Sequence, residues 1–286
     1  MSGTALALVL TAALLHATWN LAAKGVGTSR VAFIWLYVVA SAVIWVPVGV
    51  LWVAVTGDPP QWSWLGAAAV SSGLHVVYQL VLQRGYAEGD LNLVYPLARG
   101  SGPLLTFLVA VTVLGEQPGP VAAAGVLTVV AGVLLISWGP SRGHTRAGVV
   151  WGLTTGATIA SYTLWDNHAV TRLDVPPVPY FVLGLVVQLP VMALLLRRDA
   201  DPVPLREVWR TTRRATLAVA ICSPLAYLLV LRAMQLAPVA LVAAAREASI
   251  VVGATFGWLV LREERPARRL LGAVVVLVGL GLIAVS

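Results

Sequence analysis

Short breaks of charge, proline and glycine divide this chain of 286 residues into ten long apolar runs. The runs occupy residues 5–23, 31–55, 62–82, 91–114, 121–138, 147–165, 178–196, 215–231, 239–261 and 270–285. A helix needs about 20 apolar residues to cross a bilayer, and in lipid its backbone polar groups must be satisfied within the segment. The runs lack the alternating polarity of a membrane β-barrel. They predict an all-α integral membrane protein with ten transmembrane helices. Composition agrees: 59% of residues are hydrophobic and 11% charged, whereas soluble domains carry about 25% charge. A water-soluble enzyme and a disordered chain are both excluded on that ground. The first run has no basic leader and no clear small-residue cleavage site, so it reads as a retained helix. The longer breaks, 139–146 and 197–214, leave no room for a soluble domain. The single cysteine, Cys222, cannot form an internal disulfide.

The basic residues set the orientation. Lys24, Arg30, Arg84, Arg142, Arg146, Arg197, Arg198, Arg206, Arg210, Arg213, Arg214, Arg262, Arg265, Arg268 and Arg269 all fall on one side of a ten-helix chain. Arg172 and Arg232 fall on the other. Fifteen against two identifies the first side as cytoplasmic. It places both termini outside and the protein in the cytoplasmic (inner or plasma) membrane. The formal net charge of +7 has the same origin, so no nucleic-acid partner is expected. The partners expected are the lipid bilayer and a small-molecule substrate.

The two halves resemble each other. An offset of 147 takes Arg99 to Arg246, Glu116 to Glu263, Gly125 to Gly272, Gly132 to Gly279 and Ile136 to Ile283. Near the start of each half an offset of 146 takes His16 to Tyr162, Trp19 to Trp165 and Asn20 to Asp166. Five matches at one offset, two of them rare charged residues, point to a duplication. The halves are residues 1–138 and 147–286, with five helices each. An odd count forces the second half to insert upside down, the inverted-repeat plan of secondary transporters.

At this point the chain resembles the EamA branch of the drug/metabolite transporter superfamily. The resemblance is carried by Leu114-Gly115-Glu116-Gln117-Pro118 and Leu261-Arg262-Glu263-Glu264-Arg265-Pro266, each followed by a glycine-rich helix ending in Leu-Ile. The stretch His16-Ala17-Thr18-Trp19-Asn20 also carries it. The resemblance implies small-metabolite transport, often export of amino acids or related compounds. Small cation exporters of the superfamily use a buried glutamate in their first helix. Here that helix has no carboxylate.

The polar residues inside the runs are the site candidates. Arg99 and Arg246 lie 8 and 7 residues into runs four and nine, about 12 and 10 Å deep at 1.5 Å per residue. Arginine near the centre costs at least ~2.5–3.5 kcal/mol, so it usually faces a cavity or a partner. Two guanidinium groups facing each other would bind a carboxylate, sulfonate or phosphonate. The structural alternative is that Arg246 pairs with Glu247, or that either side chain reaches back to the interface. Polar stripes at helical spacing accompany them: His16, Asn20 and Lys24; His75, Gln79 and Gln83 beside Tyr78; Asn92, Tyr95, Arg99 and Thr106; Thr158, Tyr162 and Asp166. The expected substrate-binding set is Arg99, Arg246, His16, Asn20, Tyr78, Gln79, Tyr95 and Tyr162. His16 and His75 titrate near neutral pH in water, so proton coupling enters as a possible partner reaction. Asp166 is either a solvated carboxylate near the outer helix end or a coupling site. Glu116 and Glu263 read as loop anchors. Gly125, Gly132, Gly272 and Gly279 allow close packing, within the chain or in a homodimer.

No Walker A stretch, metal-ligand cluster or nucleophile elbow is present, so no cofactor and no metal are expected, and the chain is read as not an enzyme. The expected function is secondary transport of an amino acid or small organic anion by alternating access, in the direction of export. The alternatives are a membrane-embedded enzyme, a channel, or efflux of cationic or neutral compounds by the same fold. A topology reporter fused after Ser286 should be active only when it reads the extracytoplasmic side. Cytoplasmic activity would overturn the orientation.

Overall fold

The computed structural model describes residues 1–23, 30–89, 91–137, 146–198, 203–261 and 266–286. Lys24, Trp138, Arg142, Arg262, Glu263, Glu264 and Arg265 lie outside the described residues, as do the side chains of Arg30, Asn92 and Arg269. The described chain is helical throughout, without a strand. The elements are α1 (Gly3–Ala23), α2 (Arg30–Thr56), α3 (Trp62–Glu88), α4 (Leu91–Thr112), α5 (Pro120–Ser137), α6 (Arg146–Thr171), α7 (Pro177–Arg197), α8 (Leu205–Met234), α9 (Val239–Ala245), α10 (Ala248–Leu261) and α11 (Pro266–Val285). Six of these helices are long and apolar enough to cross a membrane, and the apolar stretches Pro120–Ile136 and Leu270–Val285 are shorter.

Each apolar run becomes helical, with two differences from the sequence reading. The break placed at 197–214 is partly helix, because α8 begins at Leu205. Its first turns carry Arg206, Arg210, Arg213 and Arg214 on exposed positions. Val208 on the same turns is buried with Ala32, Phe33 and Val219, so one apolar contact holds an otherwise basic extension against α2. The second difference lies in the ninth run, which is interrupted after Ala245 and resumes at Ala248.

Several helices start on proline. Pro120 and Pro266 are first helical residues, and Pro204 and Pro238 precede α8 and α9, where a missing N–H costs nothing. Hydroxyls inside the helices are satisfied locally. Thr154, Thr155, Ser161 and Thr171 of α6 each donate to the carbonyl four residues back. This is how a helix rich in threonine remains compatible with lipid. Large exposed apolar side chains such as Val43, Leu51, Leu80, Leu127, Val274 and Leu277 form a surface too apolar for water. They fit contact with acyl chains.

The main packing pairs are α5 with α11, α4 with α6, α1 with α8, α3 with α6 and α7, and α2 with α7 and α8. The short α9 is buried on every side, as expected of a helix apolar all round. Helices α5 and α11 meet through the four glycines. A Cβ on Gly125 would lie 2.9 Å from the Gly279 carbonyl, and one on Gly132 would lie 2.9 Å from the Gly272 carbonyl. The pairing of 125 with 279 and of 132 with 272 makes the two helices antiparallel. All four glycines are consumed by this contact inside the chain, so they are not available to a homodimer. Gly132→Val should therefore destabilise by roughly 1–3 kcal/mol, the usual cost of overpacking, and lower the melting temperature in detergent. Gly281→Ala, with nothing within 4 Å, should leave it unchanged.

Candidate functional site

The interruption between α9 and α10 carries the two charged residues Arg246 and Glu247. No proline or glycine causes it. The backbone tightens instead: the N–H groups of Glu247, Ser249 and Ile250 donate to Ala244, Arg246 and Glu247, each three residues back. A broken membrane helix of this kind is where transporters commonly build binding sites. The upper piece is anchored from outside the break. Glu116, in the turn after α4, accepts the N–H groups of Val239 (2.7 Å) and Ala240 (3.2 Å). Its carboxylate thus caps the first turn of α9, where negative charge is favourable. Glu116 is a loop anchor, as its position suggested.

The break brings Glu247 to Arg99 of α4. Arg99 Nη2 lies 3.1 Å from Glu247 Oε2, and the two side chains are 16% and 6% exposed. The same Nη2 donates to Ser249 Oγ at 3.3 Å. Glu247 therefore pairs with Arg99, not with its neighbour Arg246, because adjacent helical residues point about 100° apart. Arg246 is half-buried and makes no ion pair or side-chain hydrogen bond among the described residues. The charges of Arg99 and Arg246 both act on His16 of α1 and on Glu247. Tyr78, Tyr95 and Tyr162 stand within range of Arg99.

Three buried polar atoms in this region lack a hydrogen bond. They are Arg99 Nε, Glu247 Oε2 and Trp19 Nε1. Glu247 Oε2 faces Arg99 as a charge without hydrogen-bond alignment. Trp19 packs edge-on to His16, with ring centroids 4.9 Å apart. Buried polar atoms are hydrogen-bonded in the great majority of proteins, so two donors and an acceptor without hydrogen bonds set this region apart.

The other candidates are placed as follows. Tyr78 and Tyr162 meet edge to face at 5.4 Å, and Tyr162 stacks on His75 at 4.3 Å and 27°. Tyr95 is exposed at the edge of the group. Gln79 is half-buried without a side-chain hydrogen bond among the described residues. Asn20 is exposed, and its Nδ2 donates to the His16 carbonyl of its own helix at 2.7 Å.

Asp166 is not solvated: it is 1% exposed. Ser71 Oγ (2.6 Å) and Tyr180 Oη (2.8 Å) donate to its Oδ1, and Tyr227 Oη (2.8 Å) donates to its Oδ2. Ser71, Tyr180 and Tyr227 had no signal in the sequence, since they lie in different apolar runs with no polar stripe in common. Glu247 and Ser249 were visible beside Arg246 but not as partners of Arg99.

Residues 146–285 match the EamA-like transporter family. This match and the long apolar helices support a multi-pass membrane protein. Among solved structures 29 chains match. One, described as "Crystal structure of protein", is 18% identical, covers 100% of this chain and 98% of its own, and superposes with a TM-score of 0.78. At that identity the likeness concerns the fold. No curated protein matches.

Breaking a buried pair by removing one partner typically costs about 3–5 kcal/mol, whereas removing both is far milder. Glu247→Gln should therefore lower the melting temperature sharply, and Arg99→Gln combined with Glu247→Gln should recover part of it. A double variant no better than Glu247→Gln would show that the pair is not the stabilising contact.

Proposed function

We propose that the protein is a secondary transporter that moves a small carboxylate-bearing metabolite, an amino acid or small organic anion, across the cytoplasmic membrane by alternating access. Export is the direction favoured by the family resemblance. The observation that carries the substrate class is the half-buried Arg246 guanidinium, which makes no ion pair among the described residues, beside the Arg99–Glu247 pair and His16. A carboxylate would occupy Arg246 and the open Nε of Arg99 by charge-assisted hydrogen bonds. An amino group on the same solute would find the open oxygen of Glu247. Tyr78, Tyr95 and Tyr162 would contact the rest of the solute.

Alternating access by two inverted halves, residues 1–138 and 147–286, is supported by the packing. Exchanging the halves turns the α1–α8 pair into α6–α3, and α2–α8 into α7–α3. It leaves α2–α7, α5–α11 and the contact of α4 with the broken helix unchanged as pairs. The glycine contacts behave alike, since the exchange turns 125–279 into 272–132. The halves then rock about α5–α11, with the charged break between them.

Arg246 is a cleaner probe than Arg99, whose removal strands Glu247. A thermal-shift screen of purified protein against amino acids, organic acids, nucleosides and amines should give stabilisation by a carboxylate-bearing compound, followed by counterflow in proteoliposomes. Arg246→Ala should keep its basal melting temperature and bind that compound about 10- to 100-fold more weakly, the loss of a charged hydrogen bond. An unchanged affinity would reject the anion site.

A further inference from the structure

We propose that Asp166 is a proton-binding site, loaded through His75 and Ser71, that couples the transport cycle to the proton gradient. The coupling rests on the transporter reading above; the proton site itself does not.

A carboxylate inside a membrane protein normally pairs with a cation, because an isolated buried charge is costly. Asp166 has no cationic partner among the described residues. Its partners are three hydroxyls, from Ser71 on α3, Tyr180 on α7 and Tyr227 on α8. Hydroxyls both donate and accept. This shell serves the carboxylate by donating three hydrogens, and serves the carboxylic acid by turning one oxygen to accept. An ammonium or guanidinium shell could not do both.

The contacts of 2.6–2.8 Å engage both carboxylate oxygens with hydroxyls, and Asp166 is 1% exposed. No group of three metal-ligating side chains converges among the described residues.

A route to the group exists. His75 Nδ1 lies 2.9 Å from the Ser71 carbonyl and 3.4 Å from Ser71 Oγ. His75 is only half-buried. A proton arriving at Nε2 makes the imidazolium. The Nδ1 proton then passes to Ser71 Oγ as the Ser71 hydroxyl proton passes to Asp166 Oδ1. His75 is left neutral with its hydrogen on Nε2, Ser71 is again a hydroxyl, and Asp166 is a carboxylic acid.

The titratable groups around Asp166 are few. α3 presents His75, α7 presents Tyr180 and α8 presents Tyr227. α6 itself presents Tyr162 one turn away, and α4 presents Arg99 to Tyr162. The sequence of α9 has no titratable side chain. The connection to the solute site runs through stacked rings. His75 lies on Tyr162, and Tyr162 meets Tyr78, both within reach of the Arg99 charge. The carboxylate also braces four helices, so protonation alters the contact that holds α3 against α6, α7 and α8.

Infrared difference titration of the full-length protein in lipid tests the site without any solute. The wild type should develop a protonated-carboxyl band as pH falls. Glu247→Gln should keep it, Asp166→Asn should lose it, and Tyr227→Phe should shift its frequency. The Tyr227→Phe arm decides the matter if Asp166→Asn does not fold. Absence of a titrating band in the wild type, its survival in Asp166→Asn, or indifference to Tyr227→Phe would overturn the site. For coupling, proteoliposomes with an imposed pH gradient receive an equimolar mixture of the twenty amino acids and succinate. The wild type should concentrate at least one solute, and Asp166→Asn should only equilibrate it. A variant that still concentrates the solute overturns the coupling. Loss of counterflow in both proteins sinks the transport reading and the coupling with it, leaving the titration to decide the proton site.

Discussion

In a bilayer a polar group finds its partner inside the protein or not at all. That constraint orders most of this structure. It makes the chain helical and turns the hydroxyls of α6 back onto their own carbonyls. It also gives each buried charge a specific neighbour. Glu116 accepts from the first turn of α9, Glu247 faces Arg99, and Asp166 accepts from three hydroxyls. The atoms that escape the constraint stand out for that reason. Arg99 Nε, Glu247 Oε2 and Trp19 Nε1 are buried without hydrogen bonds, and Arg246 makes no ion pair among the described residues. In water such a group would be unremarked; here each carries a desolvation cost of about 1–3 kcal/mol that nothing in the chain offsets.

The parts of this arrangement legible in the sequence are those set by local pattern. Ten apolar runs gave the helices, because length and hydropathy suffice in lipid. Glu116 beside Pro118 announced a helix-end anchor, and the glycine spacing in α5 and α11 announced close approach. What the local pattern could not give is which distant element arrives. The glycines were equally consistent with a dimer until α5 and α11 were seen to consume each other. Asp166 looked solvated because it lies near a helix end, yet Tyr180 and Tyr227 reach it from 14 and 61 residues away. The break at Arg246 was unreadable for a different reason. Helix interruptions are recognised by proline or glycine, and here the sequence is Ala-Ala-Ala-Arg-Glu-Ala, a good helix former whose turn is tightened where Glu247 meets Arg99. Helical spacing also misled in one place, since Asn20 shares a face with His16 but spends its amide on the His16 carbonyl.

The Arg99–Glu247 pair is hard to justify as a device for stability. Buried ion pairs are often no better than apolar residues of the same volume, and this one lacks hydrogen-bond alignment and leaves Arg99 Nε open. A pair so placed holds the Arg99 charge of α4 against the Glu247 charge at the break of the helix. Under the proposed function, its weakness as a structural element would suit it to exchange partners with a solute that brings its own carboxylate.

The proposed duplication is not exact, and the differences between its halves are charged. Two identical halves would give inward- and outward-facing states of equal energy and no preferred resting state. The first half has Asn20 where the second has Asp166, and Gly100 where the second has Glu247. The fully buried acids Asp166 and Glu247 therefore lie in the second half and the half-buried Glu116 in the first, while the arginines Arg99 and Arg246 are shared. Under the proposed cycle, charge that differs between the halves would make the two end states energetically distinct, and a proton or a solute that neutralises it would change their balance.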